Sequence, residues 1–342
     1  MKILQIITLC ELGGAQSVVI NLANELSKNH EVIVAAGEGD GKMWPMLKNN
    51  IKKEYCKTLK RAISPIDDFR TLFTFIKLYI KYKPDIIHLH SSKAGMLGRI
   101  IFPSNKIIYT VHGFDSIRLA HRIFLPIERF MQRYNKAIVG VSNYDMHNMQ
   151  YEKITRNVCT IYNGIKEQNS CENISFPFLS DKKKILCIAR VAKPKRLDIF
   201  LKTAELLPEY DFIWIGNNQE IKTDLANVHF LGNIPNASIY NSISDLFILP
   251  SDFEGLPMVI IEAMSYKRPI VASNVGGINE IVQNGENGYV VNNDAQHFAQ
   301  RIKEIIENQE LYNKLSNNSY IRYKKDLTIN KMVDLYLELY KQ

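Results

Sequence analysis

The chain has 342 residues, enough for two domains, and its 46% hydrophobic and 23% charged residues exclude a largely disordered protein. The net charge of +8 is concentrated in residues 1–165, which contain 23 Lys and Arg against 13 Asp and Glu. This excess of positive charge favours an anionic surface or substrate as the partner of the first half, and a solvated basic surface is the alternative. Five scattered cysteines without a CxxC pair argue against a disulfide framework and a zinc site, and no apolar run approaches the roughly 20 residues that cross a bilayer.

Short β-branched segments alternate with helical patterns along the first half of the chain. Several are apolar on both faces, which is typical of parallel strands covered by helices. Since the first strand begins almost at once, no signal peptide is expected, and the protein is predicted to be cytoplasmic or peripheral on the inner face of the cytoplasmic membrane. The predicted strands are Ile3–Ile7, Glu31–Ala35, Asp85–His90, Lys106–His112 and Lys136–Val141, and the predicted helices are Ala15–Ser27, Asp67–Tyr82 and Ser116–Tyr134.

Two positions in this half follow strands and suit a ligand. Gly13 and Gly14 open a helix, where glycines permit close approach and the helix N-terminus favours an anion, although most such pairs are simple turns. Their spacing is not the GxGxxG of a dinucleotide site. A lone histidine is more often structural, but His112 lies at the carboxyl end of a strand, a position that favours function. His88 and His90 share one face of a strand and are interpreted as structural.

Basic residues are spaced along two of the predicted helices. A basic amphipathic helix can lie on an anionic membrane surface, and a solvated helix face is the alternative. Nucleic acid is disfavoured because the basic residues lack interleaved aromatic side chains on strands. One set, with apolar neighbours at Phe124, Leu125, Ile127 and Phe130, is Arg118, Arg122, Arg129 and Arg133, and the other is Arg70, Lys77 and Lys81.

A polar segment without periodicity, residues 166–181, is predicted to link a domain of residues 1–165 to one of residues 182–329. Residues 330–342 have a helical period. Two successive β/α series predict two doubly wound α/β domains, each binding ligands at the carboxyl ends of its strands. The second series of predicted strands is Lys184–Ala189, Phe212–Ile215, Val228–Leu231, Leu246–Pro250, Ile270–Ala272 and Tyr289–Val291.

The clearest chemical pattern follows the strand Leu246–Pro250. A helix is predicted to start near Pro257, since proline suits the first helical position, and its free amides can bind phosphate or polar sugar atoms. Glu254 precedes this helix and Glu262 lies about one and a half turns inside it. Two carboxylates held apart on one wall suit two diols, the hydroxyls of a ribose and those of a sugar. The alternative is a helix cap at Glu254 and a solvent-exposed Glu262.

Arg190 and Lys195 follow the first strand of the second series. Fixed cations stabilise the charge that develops on a diphosphate leaving group, and a guanidinium fork complements the point charge of an ammonium. Taken alone, they are equally well read as exposed basic residues. No metal-ligand spacing and no DxD motif is visible, so we expect neither a metal nor a cofactor.

The second half resembles the retaining GT-B glycosyltransferases of family GT4 (glycosyl transferases group 1), and the similarity extends over nearly the whole chain. The resemblance implies a GT-B fold, with two Rossmann-like domains facing across a cleft and residues 330–342 packing back on the N-terminal domain. Two departures are Arg196, where the family often has glycine, and Asn279, where it often has proline. The motifs that carry the resemblance are Glu254-x7-Glu262, Ala263-Met264, Pro269–Ala272, Gly276-Gly277 and Glu280–Val282.

The resemblance also implies roles for individual residues. Glu254 would contact the donor sugar and Glu262 the ribose, while His112 would approach the sugar in a role other than general base. Facing the sugar and phosphates would be the backbone of Gly255, Leu256, Pro257 and Met258, the cations Arg190 and Lys195, and the loop of Gly13 and Gly14.

The predicted function is therefore a retaining hexosyltransferase of bacterial surface polysaccharide synthesis, such as capsule or O-antigen. It would move a sugar from a nucleotide-diphosphate sugar, expected to be a UDP-sugar, to a hydroxyl of a polyprenyl-diphosphate-linked saccharide. The alternatives are a nucleotide-sugar epimerase of the same architecture and a non-catalytic sugar-nucleotide-binding protein. A nicotinamide-dependent dehydrogenase fails for want of the glycine spacing.

Overall fold

The computed structural model describes residues 1–168 and 174–342, so Cys171 and the middle of the predicted linker lie outside the described residues. The chain divides into two units. One consists of Met1–Lys166 together with Ile329–Gln342, and the other of Glu167–Thr328. The cysteines of the described ranges, Cys10, Cys56, Cys159 and Cys187, are free.

The first unit is built on a seven-stranded parallel sheet in the order β3-β2-β1-β4-β5-β6-β7. Its apolar strands are buried on both faces because helices cover both sides. Its strands are β1 (Lys2–Ile7), β2 (Glu31–Ala36), β3 (Lys52–Tyr55), β4 (Ile86–His90), β5 (Ile107–Val111), β6 (Ala137–Gly140) and β7 (Val158–Thr160). The helices between them are α1 (Gly14–Leu26), α2 (Pro65–Tyr82), α3 (Ser92–Ile101), α4 (Asp115–Arg118), α5 (Leu125–Met131) and α6 (Asn143–Tyr151).

The second unit has a six-stranded parallel sheet in the order β10-β9-β8-β11-β12-β13. Its strands are β8 (Lys184–Ile188), β9 (Asp211–Ile215), β10 (Val228–Phe230), β11 (Leu246–Leu249), β12 (Ile270–Ser273) and β13 (Gly288–Val291). Its helices are α7 (Leu197–Leu206), α8 (Met258–Ser265), α9 (Ile278–Ile281), α10 (Ala295–Glu307) and α11 (Gln309–Asp326).

The last helix, α12 (Ile329–Lys341), belongs to the first unit. Two of its tyrosines, Tyr336 and Tyr340, are buried there. The ammonium group of Lys136 donates to the carbonyl of Tyr340 at 2.9 Å, and the amide of Gly164 donates to the sulfur of Met332 at 3.2 Å. The end of the chain is thus tied to strands and loops that are far from it in sequence.

One predicted helix, Ser116–Tyr134, is wrong. The segment instead consists of α4, short 3-10 turns and α5, which starts with Pro126 in its first turn. Proline lacks an amide hydrogen and disfavours a helical residue before it, so the periodic pattern could not become one helix. The arginines Arg118, Arg122, Arg129 and Arg133 therefore do not share one helical face.

Other differences are omissions. The sequence pattern missed the edge strands β3 and β7, which are short and not fully buried, and the helices α3 and α6. Both sheets are parallel and doubly wound, as predicted. No helix in the described ranges is long and apolar enough to span a membrane.

Candidate functional site

In the second unit the strand order reverses between the neighbours β8 and β11. Open α/β sheets bind ligands at such a switch point, outside the carboxyl ends of the strands. The loop that leaves β8, residues 189–196, carries Arg190 and Lys195, and the loop that leaves β11, residues 250–257, carries Glu254. The fold thus brings these three predicted site residues to one edge of the sheet.

These two loops are joined to each other. The amide of Arg196 donates to the carbonyl of Pro250 at 3.1 Å, and the amide of Asp252 donates to the carbonyl of Pro194 at 2.9 Å. The Arg196 guanidinium, in the place where the resembled family often has glycine, donates to Asp198 at 2.7 and 2.8 Å and to Asp252 at 3.0 Å. Ion pairs as exposed as these add little stability. The two backbone hydrogen bonds therefore do most to hold the loops together, and the ion pair of Arg196 with Asp252 is a minor additional contact between them.

Lys195 and Glu254 form an ion pair within this pair of loops. Their side chains are 17% and 12% exposed. The hydroxyl of the fully buried Ser251 donates to the same carboxylate oxygen, Glu254 Oε1, at 2.6 Å. For Glu254 Oε2 we find no partner in the described part of the chain. One carboxylate oxygen is therefore fixed by the protein and the other can accept from a ligand hydroxyl.

The Gly276-Gly277 turn supports the Glu254 loop from behind. Gly276 has a φ of +58°, and a Cβ added there would come within 1.8 Å of the Glu254 carbonyl oxygen. The amide of Gly277 donates to the carbonyl of Gly255 at 2.9 Å. Only glycine at position 276 permits both the backbone conformation and this close approach.

We expect Gly276→Ala to destabilise the protein and to displace the Glu254 loop. The matched control is Gly285→Ala, because Gly285 has a φ of +71° but open space around its missing Cβ. The control carries only the left-handed strain of about 1–2 kcal/mol, and Gly276→Ala adds roughly 1–3 kcal/mol from the clash. Urea unfolding measures both. Equal losses of unfolding free energy in the two variants would show that the close approach of position 276 to the Glu254 carbonyl does not affect stability.

Helix α8 begins at Met258, one residue after its predicted start, and no side chain caps its amides. The side chains of Leu256, Pro257 and Met258 are buried, so at these positions only backbone atoms can face a ligand. Glu262 lies one turn into the helix and is partly buried. Within residues 1–168 and 174–342 its carboxylate has no hydrogen-bond or ion-pair partner. Burial raises the pKa of this group from 4.5 to about 7.

The raised pKa of Glu262 predicts a pH-dependent stability. Burial favours the protonated form, so the folded state is penalised progressively as the pH rises from 4.5, the pKa of the exposed group, through 7. Glu262→Gln removes that penalty. We expect the variant to match the wild type near pH 4.5 and to exceed it by up to roughly 3 kcal/mol at pH 8 in unfolding free energy without ligand. A difference that does not change with pH would contradict the assignment.

Arg190 is exposed, and its guanidinium has no partner among the described residues. It lies at the end of β8, beside the positive-φ Gly216, where an added Cβ would meet the Ala189 carbonyl at 2.5 Å. Gly216 thus allows the chain to pass close to the backbone at Ala189 and Arg190, while the Arg190 side chain is exposed.

In the first unit the strand order reverses between β1 and β4. Gly13, in the loop after β1, has an extended backbone with a φ of −179°, and Gly14 begins α1 with open space around its missing Cβ. Neither position has a backbone conformation that requires glycine. The space beside Gly14 leaves the N-terminus of α1 open, and Gly13 and Gly14 remain predicted contacts.

His112 follows β5 and is not alone, contrary to what the sequence suggested. Its Nε2 lies 3.0 Å from Nδ1 of His90, which is fully buried on β4. Burial lowers the pKa of His112 from 6.5 to about 4, so the ring is neutral near pH 7. Sequence reasoning treated His90 as merely structural. The signal that could have found the contact is that β4 and β5 were predicted as successive parallel strands, and each ends near a histidine.

Comparison with known proteins places these features in a family. The family model described as "Glycosyltransferase Family 4" matches residues 12–169, and the one described as "Glycosyl transferases group 1" matches residues 172–322. Together they span both units.

Individual glycosyltransferases are also similar to this chain in sequence or in structure. The chain is 26% identical to the O-antigen biosynthesis glycosyltransferase WbnH of Escherichia coli, with 90% of each chain covered. It is 27% identical to an E. coli UDP-Gal:alpha-D-GlcNAc-diphosphoundecaprenol alpha-1,3-galactosyltransferase, with 96% of this chain and 94% of the relative covered. The crystal structure of Anabaena HepE with UDP and glucose superposes with a TM-score of 0.86 at 19% identity over all of both chains. The likeness to HepE confirms the predicted GT-B fold.

Proposed function

Because the chain belongs to the GT4-like glycosyltransferases, we propose that it transfers a sugar from a UDP-sugar to a hydroxyl of a lipid-linked saccharide, with retention of configuration. The observation that carries the proposal is the Lys195–Glu254 pair at the switch point of the second sheet, where one carboxylate oxygen of Glu254 has no partner within residues 1–168 and 174–342. The names of the E. coli relatives support the donor and acceptor classes. The products would belong to a surface polysaccharide such as an O-antigen or capsule.

The proposed division of labour follows the geometry of the second unit. Glu254 Oε2 accepts from hydroxyls of the transferred sugar, and the Glu262 carboxylate, which has no partner in the described ranges, accepts from the ribose diol. The ammonium of Lys195 and the exposed guanidinium of Arg190 stabilise the diphosphate as its charge grows. The backbone of Gly255–Met258 borders the sugar and phosphates. In the first unit, Gly13, Gly14 and His112 are assigned to the donor by family resemblance.

The reaction itself is proposed as a front-side displacement. The bond between the anomeric carbon and the diphosphate oxygen breaks while the acceptor oxygen bonds to the same face of that carbon. The acceptor proton passes to the departing phosphate oxygen, so no side chain acts as nucleophile. No cofactor or metal ion is required in this scheme, because the cations of the β8 loop carry the leaving-group charge.

Product analysis tests this function. The protein is incubated with a UDP-sugar panel and a polyprenyl-diphosphate-linked saccharide, with and without EDTA, and the products are separated and examined by NMR. We expect a glycosylated lipid with the anomeric configuration of the donor, formed equally with EDTA. An interconverted UDP-sugar in the absence of acceptor would favour an epimerase. Binding of a UDP-sugar without any product would favour a non-catalytic binding protein.

A lipid-linked acceptor requires the enzyme to reach a membrane, and helix α2 offers the surface for this. Its buried side chains, Thr71, Phe75, Leu78 and Tyr82, occupy one face. The opposite face is apolar and exposed, at i, i+3, i+7, i+10 and i+14 spacing. It consists of Ile66, Phe69, Phe73, Ile76 and Ile80, with exposures of 68%, 61%, 52%, 37% and 64%.

A row of basic residues, Arg70, Lys77 and Lys81, borders this apolar face of α2. Ion pairing does not separate the two surfaces, because Arg70 pairs with Asp67 and Lys81 with Glu54, just as Arg118, Arg122 and Arg129 have carboxylate partners. The arginines of the α4–α5 segment are less suitable because they lie on separate short elements and do not share one helical face. An exposed apolar face beside a basic row fits the boundary of an anionic bilayer, where each basic residue contributes about 1 kcal/mol. We therefore assign membrane contact to α2 rather than to the α4–α5 segment.

Vesicle sedimentation checks this assignment. The variant Ile66→Ser/Phe69→Ser/Phe73→Ser should bind phosphatidylglycerol-containing vesicles at least tenfold more weakly than the wild type, since apolar insertion is lost. The control Ile321→Ser removes an equally exposed apolar side chain, 60% exposed, from α11 of the second unit and should bind normally. Equal binding by the triple variant and the wild type would refute α2 as the membrane surface.

A further inference from the structure

Three histidines of the first unit are stacked in a row that ends at His112. The rings of His88 and His90 on β4 have centroids 3.9 Å apart, and the rings of His90 and His112 are 5.3 Å apart and nearly parallel. His88 and His90 are fully buried, whereas His112 is partly accessible. Only the last member of the row is near enough to solvent to meet a ligand.

The buried end of the row is fixed by hydroxyl groups. His88 Nδ1 lies 2.7 Å from the hydroxyl of Tyr340 on α12, and its Nε2 lies 2.7 Å from the hydroxyl of Thr110. The Thr110 hydroxyl is in turn 3.0 Å from that of Tyr336. Both ring nitrogens of His88 therefore have hydroxyl partners, and these contacts hold the His88 ring in place against the ring of His90.

The other two histidines share a single hydrogen bond. His90 Nδ1 lies 3.0 Å from His112 Nε2, while His90 Nε2 and His112 Nδ1 have no partner in the described part of the chain. Burial lowers the pKa of both rings, so both are neutral near pH 7, and each then carries one N–H. The proton between them belongs to one ring only, so the tautomers of the two rings depend on each other.

Either ring can supply this proton. His90 Nε2 and His112 Nδ1 are both buried and without a partner in the described part of the chain, so each arrangement leaves one of these two atoms as an unsatisfied N–H and the other as a bare ring nitrogen. In both arrangements the hydrogen bond joins the ring of His112 to the ring of His90, which packs against the fixed ring of His88.

We propose that His90 is a positioning residue that holds the ring of His112 in place for contact with the donor sugar. The proposal rests on the proposed function, and in particular on the role of His112 toward the donor. It gives a task to a buried polar residue that the reaction scheme otherwise leaves unused. A fixed ring matters because a displacement of about 1 Å in a contacting group can cost up to a hundredfold in rate.

Amide isosteres test the proposal, because the Asn amide overlays imidazole Nδ1 whereas the Gln amide overlays Nε2. We expect His90→Asn to keep transfer within about threefold of the wild type. His90→Gln and His90→Phe should lose tenfold to a hundredfold in kcat. The affinity for UDP should stay unchanged in all three, since UDP is assigned to the second unit. Thermal denaturation checks that each variant is folded.

Ring ¹⁵N NMR provides a readout that does not depend on activity. We expect a ¹⁵N–¹⁵N coupling across the hydrogen bond between His90 Nδ1 and His112 Nε2 in the wild type, and no such coupling in His90→Phe. His90→Phe with wild-type kcat, His90→Asn as slow as His90→Phe, or no coupling between the two rings in the wild type would each overturn the proposal. If the wild type consumes no nucleotide-sugar, the proposed function fails instead, and the NMR result still decides the hydrogen bond. A wild-type rate in His112→Ala would remove the role of His112 and, with it, this proposal.

Discussion

Lys195→Ala should lower the rate of sugar transfer by roughly a hundredfold to a thousandfold, the usual effect of removing one group that stabilises transition-state charge. Two losses combine in this variant. The leaving diphosphate loses a fixed cation, and the Glu254 carboxylate, which is only 12% exposed, keeps Ser251 as its one partner among the described residues. Steady-state kinetics with a UDP-sugar measure the effect on kcat and on KM.

The matched control for this variant is Lys193→Ala in the same loop. Lys193 is exposed and is without a hydrogen-bond or ion-pair partner in the described ranges, so its loss should leave the rate within about twofold. If both variants lost the same activity, general loop damage or loss of overall positive charge would explain the result, and a specific role for Lys195 would be excluded.

Glu254→Gln should also cost about a hundredfold or more in kcat, with UDP affinity nearly unchanged. The amide keeps the size of the side chain but loses the charge that pairs with Lys195 and one of the acceptor oxygens offered to the sugar hydroxyls. Because UDP has no sugar ring beyond its phosphates, its binding should not depend on Glu254 Oε2. Calorimetry with UDP and kinetics with the UDP-sugar separate the two effects.

Glu307→Gln serves as the control for a lost carboxylate, because Glu307 is 57% exposed and pairs only loosely with Lys303 at 3.7 Å. It should behave as the wild type. If Glu254→Gln bound UDP tenfold more weakly and kept the wild-type kcat, Glu254 would be shown to contact the nucleotide and not the sugar.

The parallel sheets were predictable because their strands are apolar on both faces and alternate with helical patterns. The edge strand β3 was not, since the segment Lys52–Tyr55 is polar and gains its strand conformation from pairing with β2. Tertiary pairing overrode the local pattern there. The broken segment around Pro126 was an avoidable error, because the proline was visible within the proposed helix.

The candidate site was also predictable only where a local sequence pattern reveals it. The sequence placed Glu254 before α8 and Lys195 before α7, since each position follows a strand and precedes a helix. Their ion pair joins residues 59 positions apart and depends on β8 and β11 being neighbours, which no local pattern contains. The contributions of Ser251 and His90 were missed for the same reason, because each acts through a partner on a different segment.

Titration calorimetry of the wild type with UDP, UDP-glucose, UDP-galactose, UDP-N-acetylglucosamine and other nucleotides tests the central claim most directly. The site described here predicts binding of UDP and of at least one UDP-sugar with a Kd between about 1 µM and 1 mM, the usual range for enzyme substrates. Lys195→Ala should weaken both. A protein that is folded and binds no nucleotide or nucleotide-sugar of the panel would contradict the account.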